Sequence, residues 1–469
     1  MILTVGRKLR AYLSNSKGNT GLMMGLSAIP LLIITGGIVD YGRALSVKAK
    51  AQMAADTGTL AAAEALRKNT DITKPELKRI VKKYIDANIN NISYNSFTIK
   101  KTSDNTLIVN FNAMPKTSFL PLINIKKFNI HVRSAASFDF PPLEVVLVLD
   151  NTGSMDFYGN GTHRCNGAYW CKNNTRMAKL KAAAKTFVDK LADKVYGNAS
   201  NLKVGVVPYS EYVRLDTSKK NASWLDKSHL RRRCVEWRYW WCVRYERSWN
   251  GFVGFRKYSW HSGRFDEGYD SHKIPALNGD GSGYFPGGLT SVLPLTPLDD
   301  AGKRKVKAKI DAMRPDGGTY ISGGLVWGGR LLSHKNPYHE GMAYDDVITK
   351  KAKKVIVLMT DGVNTCSARN NSRGYVRCNS GNNIDNRGFN SLRRTCSKLK
   401  EINPNTNKPY ADIITVGFEL DDLNGWLRNR VRTELQNCAS MGHYDATKDD
   451  ISTIFGKIGN KLAKLHLSQ

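Results

Sequence analysis

The stretch Asp150-Asn151-Thr152-Gly153-Ser154 puts one carboxylate and two hydroxyls on a single turn, which Gly153 lets close tightly. Oxygen donors of this kind suit a hard divalent cation (Mg²⁺, Mn²⁺ or Ca²⁺) rather than zinc. Two further pieces that could complete such a cradle lie downstream. One is Asp361-Gly362; the other is Asp316-Gly317-Gly318-Thr319, a glycine turn presenting a hydroxyl before a helical stretch. A cation held by hydroxyls and few carboxylates keeps net positive character and an open position, so it seeks an external carboxylate. That chemistry binds without turnover. No catalytic signature competes with it: Gly-x-Ser-x-Gly, His-Glu-x-x-His and Walker loops are absent, and the nine histidines are scattered. We therefore expect a non-enzymatic protein.

The elements that position these residues can be read from the flanking sequence. Leu143 to Leu149 is a continuous, mostly β-branched apolar run ending at Asp150, the pattern of a strand buried on both faces. Val355 to Met359 is a second such run, ending at Asp361. Ligand sites in open α/β sheets lie at the carboxyl ends of strands. Between and after these runs, strands are expected at 202–207, 411–418 and around Tyr444. Helices are expected over 175–194, 299–313, from Thr319 through Leu332, and over 389–400, 423–438 and 451–465. Cys366 to Cys378 reads as a polar loop beside the site. Alternating strands and helices predict an α/β fold with a doubly wound, mostly parallel, Rossmann-like sheet over 143–469.

This set of motifs resembles the von Willebrand factor A (VWA) domains, whose metal-ion-dependent adhesion site (MIDAS) reads D-x-S-x-S, a loop Thr and a strand-end Asp. The resemblance implies that Thr152 and Ser154 ligate directly through their hydroxyls. Thr319 would ligate in some states, and Asp150 and Asp361 directly or through water. It also implies Mg²⁺ or Mn²⁺ as the cation, with Ca²⁺ as third candidate, and a protein partner whose acidic residue completes the coordination. Thr152 stands where Ser is commoner, which keeps the oxygen and narrows the pocket by a methyl.

Residues 21–39 carry no charge and are about long enough to cross a bilayer as a helix. Arg7, Lys8, Arg10 and Lys17 precede them and hold the 1–20 tail in the cytoplasm by the positive-inside rule. A cleaved signal peptide would need a small-x-small site after the apolar core, where Asp40-Tyr41-Gly42-Arg43 stands instead. We read a single-pass signal anchor with the body outside the cytoplasm. All eight cysteines follow it (Cys165, Cys171, Cys234, Cys242, Cys366, Cys378, Cys396 and Cys438) and none forms Cys-x-x-Cys, so disulfides are expected. Of 105 connectivities, pairing of neighbours is the simplest.

The chain carries a net charge of +31, and an insertion at about 209–290 is rich in arginine and aromatic residues. There Arg231, Arg232, Arg233, Arg238, Arg244, Arg247, Arg256, Lys257 and Arg264 interleave with Trp237, Tyr239, Trp240, Trp241, Tyr245, Trp249 and Trp260. In the cytosol this pattern would suggest nucleic acid. Outside it, the available anions are headgroups, envelope polymers and acidic proteins, so nucleic acid is not expected. Arg231, Arg232, Arg233, Trp240 and Trp241 are the candidate contacts. A solvated, disulfide-clipped insertion is the alternative.

Residues 40–142 read as a small α+β module. Helices are expected to about Leu66, with Ala54, Ala55, Ala61, Ala62 and Ala63 for close packing, and over 74–87. Alternating strands are expected at 96–100, 107–111 and 129–133. Gly18-Asn19-Thr20-Gly21, the apolar span and Val39-Asp40-Tyr41-Gly42-Arg43 resemble the opening of TadG-like proteins of tight-adherence (Flp) pilus systems. Met114 to Phe119 and Val132 to Ala136 resemble the strands that follow that family's anchor. The resemblance implies an inner-membrane pilus-assembly or adhesion protein with a periplasmic body, the cell surface being the other envelope location. No acidic residue lies between Gly18 and Val39, so prepilin-type processing is not expected. The rival reading keeps the A-type fold as a scaffold, with the basic aromatic insertion binding anionic envelope polymers.

Overall fold

A computed structural model describes residues 19–68, 72–89, 92–102, 105–138, 141–158, 163–166, 168, 171–192, 201–228, 230, 232–247, 249–255, 273–277, 287–368, 374–379, 384–446 and 450–467. Arg7, Lys8, Arg10, Lys17, Arg231, Arg256, Lys257, Trp260 and Arg264 lie outside the described residues. The chain divides into two compact units, Met1–Asp139 and Phe140–Gln469.

In the first unit a single helix, α1 (Asn19–Lys68), runs from the apolar segment into the alanine-rich one. Over Met23–Arg67 it is long and apolar enough to cross a membrane. Its second half presents Ala51, Ala54, Ala55, Ala62 and Leu66 to Leu77, Val81 and Ile85 of α2 (Lys74–Asn88). Below them lies an antiparallel sheet of β1 (Ser93–Tyr94), β2 (Thr98–Lys101), β3 (Thr106–Met114) and β4 (Ile130–Ser137). Strand β3 is central, with β1 and β2 on one side and β4 on the other. Its side chains alternate between buried and half-buried, so Leu107, Val109, Phe111 and Ala113 face the helices.

The second unit is built on an eight-stranded mixed sheet. β5 (Leu143–Asp150) is followed by α3 (Arg176–Ala192), β6 (Leu202–Tyr209), β7 (Val213–Arg214), the hairpin β8 (Arg232–Arg238) and β9 (Trp241–Arg247), and β10 (Phe252–Val253). Then come β11 (Leu293–Pro297), α4 (Asp300–Asp311), α5 (Ile321–Leu332), β12 (Lys353–Thr360), β13 (Cys366–Ala368) and β14 (Val376–Cys378). The chain closes with α6 (Asn386–Lys400), β15 (Asp412–Phe418), α7 (Gly425–Cys438), β16 (Gly442–Ala446) and α8 (Ile451–Leu467).

Five strands, β6-β5-β12-β15-β16, are parallel neighbours. The remaining three are antiparallel and all lie on the outer side of β6: β7 and β11 pair with it and β10 pairs with β7. The mixed edge has a local cause. After Tyr209 the chain turns back at once, so β7 runs against β6, and the rest of the insertion builds on that edge. The 366–378 segment, read as a loop, is a two-stranded hairpin with Cys366 opposite Cys378.

Every residue of β5 is buried, as its apolar run requires. Val146 and Val148 face a cluster containing Leu325 and Trp327 of α5, Phe389 and Leu392 of α6 and Val431 of α7. Val145, Leu147 and Leu149 face the opposite cluster, with Leu180 and Phe187 of α3, Ile310 of α4 and Phe455 of α8. On α5, Gly324 lets the helix close on Tyr209: a Cβ there would stand 2.6 Å from the ring. Replacing Gly324 by Leu should cost about 1–3 kcal/mol through overpacking. A fall in the urea midpoint at unchanged slope would check it.

Candidate metal centre

Asp150 ends β5 fully buried, and its carboxylate is held from three sides. Oδ1 accepts the Thr152 backbone N–H at 2.9 Å, and Oδ2 accepts the Thr360 hydroxyl at 2.8 Å and the Tyr209 hydroxyl at 3.2 Å. Three parallel strand ends therefore converge on one carboxyl group. The turn that follows brings the Thr152 and Ser154 hydroxyls to 2.9 Å, and Ser154 Oγ donates to Asp361 Oδ1 at 2.8 Å. Thr152 and Ser154 thus form one continuous row of oxygens with Asp361, which follows them by more than 200 residues of chain.

The Thr319 loop is pinned beside this row. Gly153 N–H donates to Gly317 O and Asp316 N–H donates to Asn151 O, both at 2.9 Å. Gly317 has φ +82°, a left-handed conformation that glycine takes without strain. The buried Glu211 carboxylate accepts the Gly318 N–H. Thr319 N–H donates to Thr365 Oγ1 at 3.0 Å, and the Thr319 carbonyl accepts the Thr365 and Cys366 N–H groups. Asn364 Oδ1 accepts the Ile321 N–H and so holds the first turn of α5. Among the described residues the Thr319 hydroxyl makes no hydrogen bond to Thr152, Ser154 or Asp361.

Charge balance comes from a residue the sequence did not single out. Arg176, 7% exposed, opens α3 and donates to Asp361 Oδ2 at 2.9 Å, Glu419 Oε2 at 2.7 Å and Asp422 Oδ2 at 2.6 Å. Burial alone would lower the guanidinium's pKa; the charge of Asp361 and the bonds to these carboxylates raise it instead. Among the described residues Asp150 has no cationic partner. Burial first, and the charge of Asp361 second, push its carboxyl up to about 7. Burial likewise pushes Glu211 up to about 7.

The donors fit a hard divalent cation. Cis oxygens around an octahedral Mg²⁺ stand about 2.9 Å apart, the spacing seen along the Thr152–Ser154–Asp361 row. A cation there would also offset the burial and the Asp361 charge that push the Asp150 carboxyl up. Among the described residues no group of three or more His, Cys, Asp or Glu side chains is placed to hold a metal, so a cation here would depend on the hydroxyls.

The four disulfides pair neighbours: Cys165–Cys171, Cys234–Cys242, Cys366–Cys378 and Cys396–Cys438. Cys366–Cys378 packs against Gly318 and so backs the Thr319 loop. The basic aromatic insertion divides in two. The β8–β9 hairpin, clipped by Cys234–Cys242, leaves Arg232, Trp237, Tyr239, Trp240 and Trp241 exposed, the last two at 84% and 73%. Arg233 lies on the same strand. Trp249, read as part of the exposed interleaving, is instead buried, its Nε1–H donating to Phe252 O at 2.7 Å. Phe252 returns to the sheet as β10, which draws Trp249 into the core.

Residues 18–65 match the Tad family profile, described as Flp pilus-assembly TadE/G-like. No curated protein matches the chain. Solved structures similar to it include the pilus adhesin SpaC from Lactobacillus rhamnosus GG, at 14% identity and TM-score 0.38, covering 80% of this chain and 35% of that one. The chain thus spans about a third of the length of SpaC. The PilB minor pilin from Streptococcus sanguinis matches at 14% identity and TM-score 0.38, covering 81% of each chain. A von Willebrand factor type A protein from Catenulispora acidiphila matches at 12% identity and TM-score 0.30, covering 80% and 51%. Likenesses of this size leave the fold to be argued from this chain's own topology.

Proposed function

We propose that this chain is a membrane-anchored, non-enzymatic adhesion or assembly protein of a tight-adherence pilus system. Its 140–469 unit is read as a doubly wound VWA domain that binds a protein partner through a divalent cation. The observation that carries this reading is the Thr152–Ser154–Asp361 oxygen row, with Asp150 behind it and the Thr319 loop beside it, at the carboxyl ends of parallel strands. The hydroxyls and Asp361 would hold Mg²⁺ or Mn²⁺, and the bound ion would supply an electrophilic position for a partner's Asp or Glu. The apolar half of α1 and the Tad match over residues 18–65 support anchoring in the bacterial inner membrane, with a cytoplasmic tail and a periplasmic body.

A second reading is favoured by the β8–β9 hairpin, whose exposed Trp237, Trp240, Trp241 and Arg232 suit stacking and anion contacts on an envelope polymer. Co-purification from the native envelope separates the two. The first predicts that a pilus-assembly protein is recovered with Mg²⁺ and lost with chelator or in Asp150→Ala. Recovery unaffected by either, but lost in Trp240→Ala/Trp241→Ala, would sink the cation mechanism and favour the hairpin.

A further inference from the structure

Between β3 and β4 the chain makes a small lobe whose apolar side chains face outward. Leu120–Ile123 forms a single 3-10 turn, and Leu122 is 70% exposed, with Phe119, Ile123 and Ile125 also exposed. Lys116, Lys126 and Lys127 are exposed at its base. The lobe is folded on itself: Ile125 N–H donates to Leu120 O at 3.1 Å, Thr117 Oγ1 to Ile125 O at 2.6 Å and Phe128 N–H to Pro115 O at 3.1 Å. Such a shape leaves apolar surface in water without a local reason.

The lobe's fastening to α1 supplies the reason. Asp40 is buried at the end of the apolar segment, and its carboxylate accepts the backbone N–H groups of Ser118, Phe119 and Leu120 at 2.9, 2.8 and 3.0 Å. Arg43 donates to Ser118 Oγ at 2.8 Å. Gly36 is buried under Phe119, whose side chain occupies the space a Cβ would take, and Leu120 packs over Gly37. At 1.5 Å rise per residue, Gly36 lies roughly 5 Å inside the end of the apolar segment at Val39. With the apolar half of α1 in a bilayer, Phe119 would stand at the edge of the hydrocarbon layer.

We propose that residues 116–127 form a membrane-interface wedge, its Phe119, Leu122, Ile123 and Ile125 side chains inserted among the lipids of the leaflet where the span ends. This rests on reading the apolar half of α1 as a span. Basic residues flanking apolar ones are the composition that seats a segment in an anionic interface. The wedge gives the first unit a second hold on the membrane. It also fixes the angle at which the rest of α1 leaves the bilayer, which one span alone does not.

The test uses the full chain in nanodiscs containing phosphatidylglycerol, prepared with and without brominated acyl chains. None of the nine native tryptophans precedes Trp170, so an added indole in the first unit is read as the difference from the parent protein. Leu32→Trp reports on the span; Leu122→Trp and Ile125→Trp report on the wedge. We expect all three to be quenched by the bromines, with blue-shifted emission. Quenching of Leu32→Trp alone, with the two lobe variants emitting as in water, would overturn the wedge and leave the span standing. No quenching in any of the three would overturn the span and the wedge together.

Discussion

Replacing Arg176 by Met lowers the stability of the 140–469 unit by about 3–5 kcal/mol, the cost of stripping a buried charge from its partners. Asp361 and Glu419 are almost wholly buried, so removing the guanidinium leaves two carboxylates ionised in low dielectric, with Asp422 at the rim. Arg176→Lys should recover only part of the loss, because one ammonium cannot reach three carboxylates in the directions the guanidinium fork does. All nine tryptophans lie in this unit, so the urea midpoint followed by tryptophan emission reads it directly. A loss below about 1 kcal/mol would mean the cluster is no more than a surface ion pair.

In chelator, the same unit loses stability as pH rises through the range between the ordinary Asp value of 3.8 and about 7, where burial and Asp361 have pushed Asp150. The folded state holds a proton on Asp150 that the unfolded chain has released, so this group's contribution to stability is full below 3.8 and its loss is complete once pH passes about 7. At roughly 1.4 kcal/mol per pKa unit the effect amounts to a few kcal/mol. Saturating Mg²⁺ should reduce the slope by stabilising the ionised carboxylate, and Asp150→Asn should remove Asp150's share of the slope together with the response to Mg²⁺. Glu211, raised by burial to about 7, contributes a slope of the same sign that persists in Asp150→Asn. Urea midpoints with and without Mg²⁺ at several pH values separate the two. A slope in wild type that ignores Mg²⁺ would place the cation elsewhere or nowhere.

What the sequence made legible follows from how loudly each element is written. Val145 to Leu149 and Val355 to Met359 are continuous apolar runs because both faces of a central parallel strand are covered, so both strands and their terminal carboxylates could be read directly. Thr152, Ser154 and Asp361 do meet; Thr319 is held nearby through backbone contacts rather than by its hydroxyl. Arg176 was missed because one arginine opening a helix looks like any exposed charge, and its partners Glu419 and Asp422 lie more than 240 residues away. Thr360 and Tyr209 were missed for a similar reason: each is a polar residue at the end of an apolar strand. Trp249 shows the converse error, an aromatic assigned to the surface by its basic neighbours and drawn inward by β10. The lobe at Phe119 carries no periodicity, and only its contacts with Gly36 and Asp40 give it meaning.

The central claim, that Thr152, Ser154 and Asp361 with Asp150 hold a divalent cation, is tested most directly by calorimetric titration of the purified full-length protein with Mg²⁺ and Mn²⁺, wild type beside Asp150→Ala. Saturable binding of one ion by the wild type, abolished in the folded variant, is the expected result. Binding that survives in Asp150→Ala, or none in either protein, would contradict it.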